Sequence, residues 1–105
     1  MLRIHDDMLE AITSMRPLLS VIERRDSDLA RQLRRAASSV VLNIAEGSGS
    51  FGGVRTQRYR TALGSARETL ACLQVAEAFG YIDATPAGML ALLRRVVGTL
   101  VRVAH

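Results

Sequence analysis

Apolar residues recur along most of this chain at the three- and four-residue spacing of one helical face. Met8, Ile12, Met15, Leu19 and Ile22 predict a first helix from about Ile4 to Arg24. Pro17 falls inside this pattern. It lacks an amide proton and crowds the preceding turn, so the helix is expected to kink or divide there. A second helix is predicted from near Asp26, with Asp26 or Ser27 as its N-cap and Asp28 at the positive end of the dipole. Leu29, Leu33, Ala36, Val40 and Ile44 fall within a sector of roughly 80° at 100° per residue, with Arg31, Arg34, Arg35 and Ser38 opposite. Gly47 predicts the end of this helix through a left-handed turn.

Ser48 to Gly53 reads as a flexible loop, followed by a third helix from about Arg55 to Phe79. Tyr59, Leu63, Ala66, Leu70 and Leu73 mark one of its faces, and Cys72, Val75 and Phe79 mark another. A helix apolar on two sides is expected to be buried on two sides, inside the bundle or against a second subunit. After the connection at Gly80 to Asp83, Thr85 and Pro86 predict the start of a fourth helix, with Thr as N-cap and Pro at the first helical position. Its stripe is Met89, Leu93, Val96, Leu100 and Val103, widened by Leu90, Val97 and Val101. That arc exceeds the needs of one core and points to an oligomer. No strand-like alternation bounded by hairpin turns and no internal repeat occurs. The expected fold is all-α, an antiparallel up-and-down four-helix bundle whose first helix is kinked or broken near Pro17.

Composition narrows the function without naming it. The 105 residues fit a single domain, 1–105. Cys72 is the only cysteine, so neither an intramolecular disulfide nor a cysteine-based zinc site can form within the chain. Met1 to Glu10 lacks the pattern of a secretory signal, and charges or glycines interrupt every apolar run, so no membrane is expected and the cytoplasm is the expected location. The net charge is +4 and all 14 basic residues are arginine. A GC-rich genome explains that usage as readily as selection does, although arginine also offers phosphate a planar, bidentate contact. One arginine group is Arg24, Arg25, Arg31, Arg34 and Arg35; the other is Arg55, Arg58, Arg60 and Arg67. They form either a solvated face balanced in part by Glu23, Asp26 and Asp28, or a nucleic-acid-binding surface whose field an oligomer would sum.

Catalytic chemistry is hard to place. No nucleophile-elbow or phosphate-loop pattern occurs; Gly47-Ser48-Gly49 and Gly52-Gly53 lack the Lys-Ser/Thr that gives a phosphate loop its specificity. Cys72, among Leu, Val and Phe, reads as a small core or interface residue. Neither His5 nor His105 follows a glutamate at the spacing of a di-iron site. No catalytic residue, metal site or cofactor is expected. The densest polar feature is the ridge of Ser39, Asn43 and Glu46 at i, i+4 and i+7, matched by Ser65 and Glu68 on the third helix. It reads either as an interhelical hydrogen-bond network that sets register, or as a small-ligand or metal site around Glu46 and Glu68.

Two runs carry a family resemblance. Gln32 to Val40 followed by Asn43-Ile44-Ala45-Glu46-Gly47, together with Ala62-Leu63-Gly64-Ser65-Ala66-Arg67-Glu68, resemble the signatures of the 23S rRNA intervening-sequence proteins, also called the four-helix-bundle protein family. Gly80-Tyr81 falls where that family turns between its last two helices. The resemblance implies a four-helix bundle, homopentameric assembly, no enzymatic activity, and a structural role for Asn43, Glu46, Gly47, Ser65 and Glu68. A related branch, the accessory variability proteins of diversity-generating retroelements, binds a reverse transcriptase and nucleic acid. The expected function is a non-catalytic oligomeric bundle protein that binds RNA or DNA through Arg24, Arg31, Arg34, Arg35, Arg55, Arg58, Arg60 and Arg67. The alternative is a protein-interaction scaffold or accessory subunit using the apolar surface of the fourth helix.

Overall fold

The computed structural model describes residues 2–104. Four helices occur in chain order: α1 (Ile4–Arg25), α2 (Ser27–Ser48), α3 (Gly52–Ala78) and α4 (Ala87–Val103). Each packs on its neighbours in sequence, and α4 returns to α1, which closes a ring of four helices around one core. The start of α1, the end of α2, the start of α3 and the end of α4 meet at one end. Leu2, Ser48, Arg55 and Tyr59 line one hollow there, and Arg60 Nε donates to the Ala104 carbonyl at 3.2 Å. Tyr81 and Asp26 meet at the opposite end.

The apolar stripes supply the core. Met8, Met15 and Ile22 of α1, Leu33, Val40 and Ile44 of α2, and Leu93, Val96 and Leu100 of α4 are fully buried. From α3 the core takes Tyr59, Ala62, Ala66, Leu73 and Ala76. The small side chains of the three alanines let α3 approach its neighbours closely, and α2 and α3 make the most extensive helix contact. Leu63 and Leu70 are only half-buried.

Three expectations need correction. Of the two outcomes expected at Pro17, division does not occur: α1 runs unbroken from Ile4 to Arg25. Pro17 is exposed, so water can serve the backbone group left without its helical partner. Gly47 does not end α2. The helix continues to Ser48, Gly49 is the C-cap with φ −91°, and neither glycine is left-handed. Gly47 instead allows close approach: a Cβ there would lie 2.5 Å from Tyr59 Cε1 and 2.7 Å from Cδ1. Thr85 does not cap α4, because Pro86 holds that position and makes no side-chain cap bond. Thr85 turns back to α3, where its amide and hydroxyl both donate to Glu77 Oε1 at 2.8 Å.

The second apolar side of α3 is not covered in the single chain. Cys72 is buried, but Val75 and Phe79 are exposed. The arc of α4 is less open than its pattern predicts: Leu90 and Val97 are half-buried, and Val101 is its exposed large apolar residue.

Candidate nucleic-acid interface

The polar ridge of α2 lies along its seam with α3. Ser39 Oγ and Ser65 Oγ are 2.7 Å apart, and Asn43 Nδ2 donates to the Ser39 carbonyl at 2.9 Å and to Ser39 Oγ at 3.1 Å. One turn along α3, Thr69 Oγ1 donates to the Ser65 carbonyl at 2.8 Å. Among the described residues no buried side-chain polar atom lacks a partner. A fully satisfied network of this kind opposes sliding of one helix past the other, because any shift in register strands a polar group.

Glu46 and Glu68 stand outside this network. Glu46 Oε2 pairs with Arg58 Nε at 3.0 Å across the seam, both side chains being half in water. Glu68 is exposed and makes no ion pair or side-chain hydrogen bond among the described residues. The two carboxylates line different stretches of the seam, so they do not form the shared ligand site that the ridge allowed. No group of three or more His, Cys, Asp or Glu side chains is placed to hold a metal among the described residues. Gly47, the last of the signature residues, packs against Tyr59. Burial, and after it the Glu68 charge, push the Cys72 thiol above its ordinary value, so Cys72 remains protonated.

Three adjoining hollows make the outer face of this seam one long groove. The middle one shares Arg35 and Ser39 with the hollow toward Arg58, and Gln32 and Glu68 with the hollow toward Asp26. Its two ends differ in charge. Asp26, Asp28 and Glu68 lie on one stretch, and Arg34, Arg35 and Arg58, with the single acid Glu46, on the other. The helical spacing that places Ser39, Asn43 and Glu46 in a line also places Arg35 and Gln32 on it. That signal was present in the sequence and extends the ridge by two turns.

The eight candidate arginines fare differently. Arg34 and Arg58, one from each sequence cluster, are brought to one hollow with Arg35. Arg34 also pairs with Glu23, and Arg31 pairs with Asp28 away from this hollow. Arg55 Nε donates to the carbonyls of Ser50, at 2.9 Å, and Gly47, at 3.3 Å, while Arg60 is tied to Ala104. Arg24, Arg35 and Arg67 make no ion pair or side-chain hydrogen bond among the described residues. Arg24 and Arg67 do not line the groove.

Four helices closed around one core, with a hydrogen-bonded polar seam, define a small helical-bundle protein. The model of the 23S rRNA-intervening sequence protein family matches residues 7–100, and the chain belongs to that family. A solved structure of a protein of unknown function from the S23 ribosomal protein family of Bacteroides thetaiotaomicron is similar, with a TM-score of 0.79 and 19% identity over 96% of this chain and 97% of that one. At that identity the likeness speaks for the fold alone. No curated protein matches the chain. No helix among the described residues is long and apolar enough to cross a membrane.

Proposed function

We propose that this chain is a non-catalytic, cytoplasmic bundle protein that binds nucleic acid through the arginine-edged stretch of the α2–α3 groove and works as a homo-oligomer. The family resemblance supports a homopentamer as that oligomer. The observation that carries the reading is the meeting of Arg34, Arg35 and Arg58 in one hollow. Ser38, Ser39 and Asn43 add hydroxyl and amide groups beside them. Arginine forks match phosphate oxygens in pairs and hold a nucleic-acid backbone without reading sequence. Arg35 is the arginine of this hollow left unengaged by a carboxylate among the described residues. The buried, protonated Cys72 supports a non-catalytic role.

Filter binding of the purified protein to RNA and to DNA across a salt series tests this. Affinity is expected to fall linearly on logarithmic axes, and Arg35→Gln is expected to reduce the slope by about 1, equally for all sequences. Absence of binding at low salt, or binding indifferent to salt, would overturn the reading. Light scattering is expected to give about five times the 11.4 kDa chain mass.

The scaffold alternative draws on Val101 with half-buried Leu90 and Val97. That is a smaller exposure than Leu42, Phe51, Val54 and Phe79 offer elsewhere. A partner protein that stays bound to the oligomer through nuclease treatment, and is lost on Val101→Glu, would favour it.

A further inference from the structure

We propose that Phe51 is a stacking platform for an unpaired base, so that its end of the bundle prefers single-stranded to duplex nucleic acid. The inference rests on the nucleic-acid reading above and adds to it the kind of strand bound.

Phe51 is 83% exposed, the most open of the large apolar side chains. A phenylalanine in water forgoes the gain of burial, and this one lies against no core. It occupies the extended position immediately before α3, with φ −132° and ψ 155°. Gly52 follows with φ +55°, a left-handed conformation suited to glycine, and the space beside Gly52 and Gly53 is empty to 4 Å. The Arg55 guanidinium lies 5.7 Å over the Phe51 ring, and its Nε is anchored on the Ser50 and Gly47 carbonyls. The ring therefore carries a fixed cation on one face and leaves the rest of its surface to solvent.

The surrounding charge selects the occupant. Arg3, Arg58, Arg60 and Arg102 belong to this same end of the bundle. Of the acids near it, Asp7 faces Arg95 at 3.4 Å, Glu46 takes up the charge of Arg58, and Asp6 is exposed beside His5, so Arg3, Arg55, Arg60 and Arg102 leave this end basic. A polyanion carrying flat aromatic groups fits an open ring in a basic setting. Phe79, the other exposed phenylalanine, does not offer this. One face is stacked on Tyr81 with 5.4 Å between centroids, and Asp26, Glu77 and Asp83 lie at its end of the bundle. A duplex keeps its base faces stacked on each other, so only an unpaired base can use Phe51.

The chain contains no tryptophan, so Phe51→Trp places a single indole at the platform. The full-length oligomer carrying it is titrated with a short deoxyadenosine strand, the same strand with abasic positions, a matched duplex, and anionic lipid vesicles. Quenching is expected with the deoxyadenosine strand and not with the abasic strand, the duplex or the vesicles. In the otherwise unaltered protein, Phe51→Ala is expected to weaken single-strand binding about tenfold. It should leave duplex affinity and salt slope unchanged, with Phe51→Tyr retaining the preference. Equal quenching by duplex, or single-strand affinity unaffected by Phe51→Ala while salt-dependent binding persists, overturns the platform and leaves the phosphate reading standing. An indole response confined to vesicles also overturns it, in favour of a membrane-inserting loop. Failure of every strand to bind overturns both.

Discussion

Each end of the bundle carries one tyrosine and one phenylalanine, and the two ends use them differently. Where α2 gives way to α3, Tyr59 is buried against Gly47 and Phe51 stands apart in water. Where α1 gives way to α2 and α3 to α4, Tyr81 is half-buried and stacked on Phe79, with Arg25 5.7 Å over its ring. Its hydroxyl donates to Asp26 Oδ2 at 3.2 Å, and Asp26 Oδ1 accepts from the Leu29 amide at 3.0 Å as the N-cap of α2. The first end adds to its arginine bonds a constraint of volume that the second lacks, a close helix approach that admits no side chain at 47. The second is fixed by charge and hydrogen bonds, through Asp26 and through the Glu77 carboxylate that holds Thr85. Volume is blind to pH, whereas carboxylate acceptors are not.

The largest expected effect breaks the first end. Gly47→Ala drives a methyl group into the body of the Tyr59 ring, and overpacking of this kind costs about 1–3 kcal/mol. Urea denaturation should show a lower midpoint at unchanged slope. Tyr59→Phe should give no relief, because the encounter is with Cε1 and Cδ1 and not with the hydroxyl. Tyr59→Leu should restore part of the loss.

A smaller effect is expected at the second end from Asp26→Ala, which removes the cap of α2 and the acceptor of Tyr81 together. Its cost is about 1 kcal/mol, within the usual range for lost caps. Asp26→Asn should recover most of it, since the amide oxygen still accepts from Leu29.

The pH dependence sharpens the contrast further. Hydrogen bonds from the Thr85 hydroxyl and amide hold the Glu77 carboxyl below its ordinary range, despite a small opposing effect of desolvation. A lowered carboxylate pKa contributes stability that is complete above the unfolded-state value and is lost as the pH falls through the native one. The difference in melting temperature between the parent protein and Glu77→Gln should therefore be open at neutral pH and close in acid. The cost of Gly47→Ala should not change over the same interval.

The smallest effect is expected from Phe51→Ala. Its ring is exposed, so thermal stability should stay within about 0.5 kcal/mol. A substantial fall in melting temperature would mean that the ring helps hold the α2–α3 connection, and that the two ends are less different than described.

The parts of this fold that could be read from the chain are those governed by periodicity. The α2 stripe from Leu29 to Ile44 is buried throughout, as are Met89, Leu93, Val96 and Leu100 on α4. Asp26 caps α2 as its residue type and place required. Readings that turned on one residue's local preference fared worse. Gly47 looks like a helix terminator because glycine ends many helices; here its missing Cβ serves a neighbour on another helix, which local sequence does not reveal. Thr85 looks like a cap, but a carboxylate eight residues earlier competes for it. Ser39 and Ser65 meet across the α2–α3 seam, and Asn43 bonds Ser39 from its own helix. That Arg58 is the partner of Glu46 depends on the register of α3 against α2, which local sequence does not reveal. Phe51 lies outside every apolar stripe, and the spacing of Phe79 with Cys72 and Val75 marks it for burial, so neither exposure can be read from the chain.

The Gly47–Tyr59 contact also constrains how this chain can change over generations. A residue larger than glycine at 47 is reachable only after 59 has shrunk, and shrinking 59 first leaves a void between α2 and α3. Either order passes through a less stable intermediate, and the two losses together are smaller than their sum. The pair therefore behaves as one unit of inheritance written in two distant places, and the spacing of α2 and α3 at this end should resist drift even where the sequence around it does not.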